Sequence, residues 1–282
     1  MGVRTIRSLD VRGVAVPSFL YGTAWKEDAT EGHVLDALAA GFRGIDTANQ
    51  RKHYHEAGVG VAIARSGVPR DELFVQTKFT FRDGQDHRLP YDPAAPIADQ
   101  VAQSFASSLE HLGVERLDSL VLHGPSQRDG LGPDDREAWR AMEALAAAGR
   151  VTLLGISNVT ARQVADVVEL ARIPPAFVQN RCYAERGWDA AVRAECRKHG
   201  IVYQGFSLLT ANRRVATNAK VRAIAKRHDL TPAQLVFKFA QQRGMLPLTG
   251  TPDPDHMAHD LAIDRAELAP NELDAIDGAG IS

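Results

Sequence analysis

Six short apolar runs, FRGID, LFVQTK, LDSLVLH, VTLLGISN, AFVQN and IVYQGFS, each close on or beside a polar, ionisable or aromatic residue: Asp46, Lys78, His123, Asn158, Gln179 and Phe206. A parallel barrel collects the carboxyl ends of its strands on one face, so groups far apart in sequence meet around one mouth. The repetition therefore points to a single site at the strand ends.

Between these runs lie segments of helical period, bounded by Gly, Pro, Asp or Asn. In DATEGHVLDALAAG, Thr30 is the expected cap, Val34, Leu35 and Leu38 form an apolar stripe, and Gly41 ends the helix. EAGVGVAIARSG and PIADQVAQSFASSLEHLG repeat the scheme, and further helices are expected over 134–148, 160–171, 189–199 and 217–228. The last helix before the final strand is TPAQLVFKFAQQRG, where Thr231 followed by Pro232 is a cap and first-turn signature. With LYGT as first strand and MLPL as last, the pattern predicts a closed (β/α)8 barrel of the TIM type rather than an open doubly wound sheet. The opening TIRSLDVRGVAVPS alternates apolar and polar residues around Asp10 and Gly13, which predicts an N-terminal β-hairpin at the barrel bottom. Residues 82–96 form the longest irregular stretch and follow a strand on the site face, so they are expected to be a substrate-side loop.

Barrels of this kind use about 200 to 250 residues or more as one folding unit, and 1–282 reads as one domain. The 33 basic and 35 acidic residues are spread along the chain, which argues against nucleic acid or an anionic membrane as partner. The chain start has no apolar signal core and no run is long enough to span a bilayer, so the expected location is cytoplasmic. Cys182 and Cys196 lack metal-ligand spacing and read as reduced thiols.

The chemistry begins with Asp46, Lys78 and His123 at the ends of consecutive strands. A Lys between a carboxylate and a phenol can lower the phenol's pKa, making tyrosine a usable proton donor and acceptor. Tyr54, in NQRKHYHEAG, is the phenol within reach, and Asp46 keeps Lys78 charged.

These segments resemble the aldo-keto reductase family from LYGTAW to the final helix. GFRGIDTA is similar to the family's Asp-bearing strand, LFVQTKF to its Lys strand and LDSLVLHGP to its His strand. GISNV, FVQN and KHGIVYQGFS are similar to the segments that hold nicotinamide. The resemblance implies hydride transfer between NADPH, with NADH or dual use open, and a small-molecule carbonyl or alcohol, without metal and in a monomer. It implies that Tyr54 donates the proton, that Asp46 and Lys78 tune it, and that His123 orients the carbonyl oxygen. Ser157, Asn158 and Gln179 match the residues that hold the nicotinamide carboxamide, and Phe206 matches the aromatic beneath the ring, usually Tyr. Gly22, Thr23, Ser207 and Leu209 complete the expected cofactor groove, and Trp25 and His53 the substrate wall.

Two departures stand out. The family reads Asp-Thr-Ala-x-x-Tyr, but here that Tyr position is Arg51, and the loop to Glu56 and Gly60 is longer by about two residues, so Tyr54 must reach the pocket through a reshaped turn. After the last strand, NADPH-preferring members place Lys, Ser and Arg. Here Leu248, Thr249 and His256 stand instead, so selectivity for the extra phosphate should be weaker. Thr249, Gly250 and Thr251 still offer hydroxyls and N–H groups, and Asp260 an acceptor near the adenine. The chain stops at NELDAIDGAGIS, which implies a pocket open on that side. Two other readings are a nicotinamide-binding regulatory protein with little turnover, supported by the displaced Tyr motif, and an aldolase using Lys78 as a Schiff base, which would leave GISN, FVQN and GFS without a purpose.

Overall fold

A computed structural model describes residues 7–280. A hairpin, β1 (Ser8–Val11) and β2 (Val14–Pro17), comes first. It turns through Arg12 and Gly13, both at positive φ, with Asp10 Oδ1 accepting from the Gly13 N–H at 3.1 Å. Eight strands follow: β3 (Leu20–Gly22), β4 (Gly44–Asp46), β5 (Phe74–Phe79), β6 (Leu117–Leu122), β7 (Val151–Ser157), β8 (Phe177–Arg181), β9 (Val202–Phe206) and β10 (Met245–Thr249). They pair in parallel and in chain order, and β10 closes on β3, which makes the expected (β/α)8 barrel.

Between them run α1 (Thr30–Ala40), α2 (Glu56–Ser66), α3 (Ile97–Leu112), α4 (Pro133–Ala147), α5 (Ala161–Leu170) and α6 (Ala190–Lys198). Later come α7 (Arg213–Thr217), α8 (Ala219–Arg227), α9 (Pro232–Gln242), α10 (Pro254–Leu261) and α11 (Pro270–Ala279). Among the described residues no helix is long and apolar enough to cross a membrane.

The hairpin closes the amino end of the barrel. Val11 and Val16 pack with Phe74, Leu153, Ala176 and Leu246, and the Arg12 guanidinium donates to the Pro175 carbonyl at 2.7 Å. The two cysteines are free and buried, and burial pushes both thiols up to about 12.

Local chemistry sets the details at three places. Thr30 lies inside α1 and its hydroxyl donates back to the Glu27 carbonyl at 2.7 Å, so it does not cap α1; Gly41, at φ 115°, does end the helix. The helix expected over 217–228 is α8, started by the Asn218 side chain, which accepts from the Lys220 N–H, and the short α7 precedes it. The irregular 82–96 stretch folds back on the strand end: the Tyr91 hydroxyl donates to the Thr80 carbonyl at 2.8 Å, and Gln85 Nε2 to the Asn49 carbonyl at 2.8 Å.

α2 meets α3 at a glycine. A Cβ on Gly60 would run into the His111 carbonyl and come within 2.9 Å of the Leu112 backbone. Backbone cannot yield as a flexible side chain can, so Gly60→Ala should lower the free energy of unfolding by about 2–3 kcal/mol in urea titration. An unchanged midpoint would show that the two helices are free to separate.

Candidate active site

At the carboxyl end of β4 and β5, Lys78 and Asp46 form an ion pair with both side chains almost fully buried. Lys78 Nζ lies 2.8 Å from Asp46 Oδ1, 2.7 Å from Oδ2 and 2.8 Å from the Thr47 carbonyl. Asp46 Oδ1 also accepts from Gln76 Nε2 at 2.7 Å and Gln179 Nε2 at 2.9 Å. Both amides share Gln204 Oε1 as a second acceptor, and Ser119 donates to Gln76 Oε1, so a polar layer crosses the barrel beneath the pair. Burial lowers the Lys78 pKa, while Asp46 and, more weakly, Glu56 pull it back up.

Tyr54 stands above this pair. Its ring centroid is 5.2 Å from Lys78 Nζ and 5.8 Å from the His123 ring, which it meets edge-on. The longer loop is thus accommodated in a turn, with the His53 and Tyr54 N–H groups donating to the Gln50 carbonyl. Glu56 then ties the loop down: its buried carboxylate accepts from Thr77, beside Lys78, and from Ser108 on α3 at 3.1 Å. Arg51, at the family's Tyr position, lines a separate cavity of about 360 Å³ on the other side of Tyr54. Burial, reinforced by the Asp46 charge, raises the Tyr54 phenol above its ordinary value, opposite to the lowering expected from Lys78 alone. Lys78 is held by Asp46, and desolvation of the phenolate outweighs its help. His123 is pushed down to about 3 by burial and the neighbouring Lys78, so its ring is neutral.

These groups face a cavity of about 620 Å³, within the range of small-molecule sites. Asp46, Tyr54, His123, Trp25 and His53 line it, with Gly22, Ser157, Asn158, Gln179, Phe206, Ser207 and Leu209, and with Thr249, Gly250 and Thr251 beyond. Trp25 and His53 stack at 3.8 Å between centroids, and the Trp25 N–H donates to the His53 carbonyl at 2.7 Å. Ser157 donates to the Gln179 carbonyl at 2.6 Å, and Asn158 Nδ2 to the His123 carbonyl at 2.7 Å. α5 is capped by Thr160, not by Ser157 or Asn158, which leaves that pair at the cavity. Lys78 does not line the cavity, and its amine is spent on three acceptors, so no free amine stands ready for a Schiff base.

Three expected residues lie elsewhere. The Thr23 hydroxyl donates to the Asp46 carbonyl at 3.1 Å, stitching β3 to β4. Asp260 is buried against Thr249, whose hydroxyl donates to it at 2.8 Å, and burial lifts its carboxyl to about 7. His256 is exposed beside Asp253, whose carboxylate accepts from the Asp255 and His256 N–H groups and caps α10.

Sequence reasoning passed over Lys26, whose ammonium donates to the Gly250 carbonyl at 2.7 Å and which burial lowers to about 8. It also passed over Arg181, 5.6 Å from the Phe206 ring, and two glutamines of the polar layer, Gln76 and Gln204. The signal for Gln76 and Gln204 was a polar residue two places before Lys78 and Phe206, on the same face of each strand.

A closed barrel of eight parallel strands is a fold that known proteins share. The model of the Aldo/keto reductase family matches residues 21–281. An aldo-keto reductase of Mycolicibacterium vanbaalenii is 33% identical over 249 residues, 88% of this chain and 82% of that protein. The crystal structure of an aldo/keto reductase from Brucella melitensis superposes with a TM-score of 0.84 over 98% of this chain and all of the other, at 25% identity. A Bombyx mori aldo-keto reductase, solved in complex with NADP, superposes with a TM-score of 0.82 at 23% identity, over 98% of this chain and 93% of that one. The chain belongs to the aldo/keto reductase family and is an oxidoreductase of that fold.

Removing one partner of a buried pair leaves the other uncompensated. Asp46→Asn should therefore cost about 3 kcal/mol of stability, and Asp46→Asn with Lys78→Met much less than the sum of the two single changes. Denaturant titration of the four proteins measures the coupling, and simple additivity would contradict the pairing.

Proposed function

We propose that this protein reduces a small aldehyde or ketone to the alcohol, with a nicotinamide dinucleotide as reductant and Tyr54 as proton donor. The observation that carries the reading is the convergence of Tyr54, the Asp46–Lys78 pair and His123 beside the cavity that Ser157, Asn158, Gln179 and Phe206 also line.

The donor set suits a carboxamide. Gln179 and Asn158 each keep a side-chain carbonyl oxygen free of hydrogen bonds among the described residues, two acceptors for its NH2 group. Phe206 offers an aromatic face for the ring. When bound, reduced nicotinamide supplies hydride to the carbonyl carbon. Tyr54, kept protonated by its burial, passes its phenolic proton to the carbonyl oxygen. Lys78 offsets the negative charge that grows on the phenol, and the neutral His123 ring hydrogen-bonds the same oxygen. The Trp25–His53 stack forms an apolar shelf at the entrance, which suits a broad range of carbonyl compounds.

NADPH is the first choice, supported by family membership and by the NADP complex of the Bombyx mori relative, with NADH accepted. Around α10 the groups suited to an additional phosphate are committed: Asp253 takes two helix amides and Asp260 takes the Thr249 hydroxyl. Values of kcat/KM for the two cofactors should accordingly differ by no more than about tenfold in steady-state assays.

Purified protein with NADPH and a reactive aldehyde should consume cofactor. Tyr54→Phe should slow turnover by about 10²- to 10⁴-fold and leave the cofactor Kd within a few-fold of wild type. Tight cofactor binding with no turnover on a broad carbonyl panel would instead make the protein a nicotinamide-binding regulator.

A further inference from the structure

We propose that Thr80 is a positioning residue for His123: its hydroxyl donates to Nδ1 and so leaves Nε2 as the ring N–H that serves the reacting oxygen. The proposal rests on the reductase reading for its purpose, but not for its geometry.

Thr80 follows β5 directly, two residues past Lys78, and is 6% exposed. Its Oγ1 lies 2.7 Å from His123 Nδ1. Neighbours limit how it can turn. Its carbonyl accepts from Tyr91, and a Cβ on Gly84 would meet its methyl group at 2.7 Å, so the loop is pressed against the methyl while the hydroxyl faces the imidazole.

A neutral imidazole carries one N–H and one lone pair, and the partner of one nitrogen fixes the role of the other. The ring is neutral because it is buried beside Lys78. Two arrangements then satisfy the 2.7 Å contact. With Nδ1 protonated, the ring donates to Thr80 and the hydroxyl hydrogen needs another acceptor. Among the described residues Thr80 Oγ1 has no hydrogen-bond partner besides Nδ1. A buried donor without an acceptor costs more than an idle lone pair. With Nδ1 unprotonated, the hydroxyl donates to it and every proton in the contact is used. Nε2 then carries hydrogen, and it makes no hydrogen bond among the described residues. A carbonyl oxygen is attracted by that N–H, whereas a bare Nε2 lone pair would repel it.

Long-range proton–nitrogen NMR of histidine-labelled protein at pH 7, with His123→Gln assigning the resonance, reads the tautomer directly. The expected result is an unprotonated Nδ1 and a protonated Nε2 in the wild type, and loss of that preference in Thr80→Val, which keeps the branched shape without the hydroxyl. Thr80→Val should also lower kcat by about a hundredfold with KM for the cofactor unchanged, and Thr80→Ser should restore both tautomer and rate. A wild-type ring protonated at Nδ1, or a Thr80→Val protein whose tautomer is unchanged, would overturn the proposal. Because the tautomer is measured without substrate, a protein found inactive on every carbonyl would sink the reductase reading while the spectrum still decides the role of Thr80.

Discussion

The buried contact between Asp46 and Lys78 is the constraint around which the mouth of the barrel is arranged. An ammonium out of water loses several kcal/mol of hydration, and one carboxylate alone seldom offsets that. Here the compensation is shared. Lys78 reaches two carboxylate oxygens and the Thr47 carbonyl, and Asp46 draws further hydrogen bonds from Gln76 and Gln179. A fully connected polar cluster of this kind is rigid, because any member that moves strands a charge. Gln179 reaches Asp46 with its amide nitrogen and the cavity with the rest of its side chain, so one side chain joins the ion pair to the wall assigned to the carboxamide.

The same rigidity fixes where Tyr54 stands. The additional residues between Asp46 and Glu56 are absorbed in a turn around Gln50, and the buried Glu56 carboxylate fixes the far end of the loop to Thr77 and Ser108. Between two such anchors the loop has little choice of path, and Tyr54 is delivered against Lys78 and His123. Arg51, which stands where the family motif has its phenol, is turned toward the neighbouring cavity.

The barrel itself was legible because its strands are apolar runs at even spacing and its helices carry stripes and glycine stops. Those are local properties of the chain. The charged residues of the site were legible for the same reason, since each ends a strand. What could not be read were interactions closing across the barrel: Gln76 and Gln179 meeting on Asp46 while both donate to Gln204, or Thr249 spending its hydroxyl on Asp260. The direction of the Tyr54 shift was missed because desolvation depends on what covers the ring, which no spacing reveals. The helix after Asn218 was legible from its apolar period, whereas the five-residue α7 before it is too short to carry one.

Three non-glycine residues on the cavity wall, Trp25, Asn158 and Ser207, hold left-handed backbone, with φ of 63°, 57° and 57°. Each such conformation costs on the order of 1 kcal/mol or more, which the hairpin-sealed end and the closed sheet must carry. Asparagine tolerates that geometry, but tryptophan and serine gain nothing from it, and a β-branched replacement at any of the three would suffer further. Evolutionary drift at this rim is therefore limited first by the bend of the main chain, whatever the side chains there are asked to recognise.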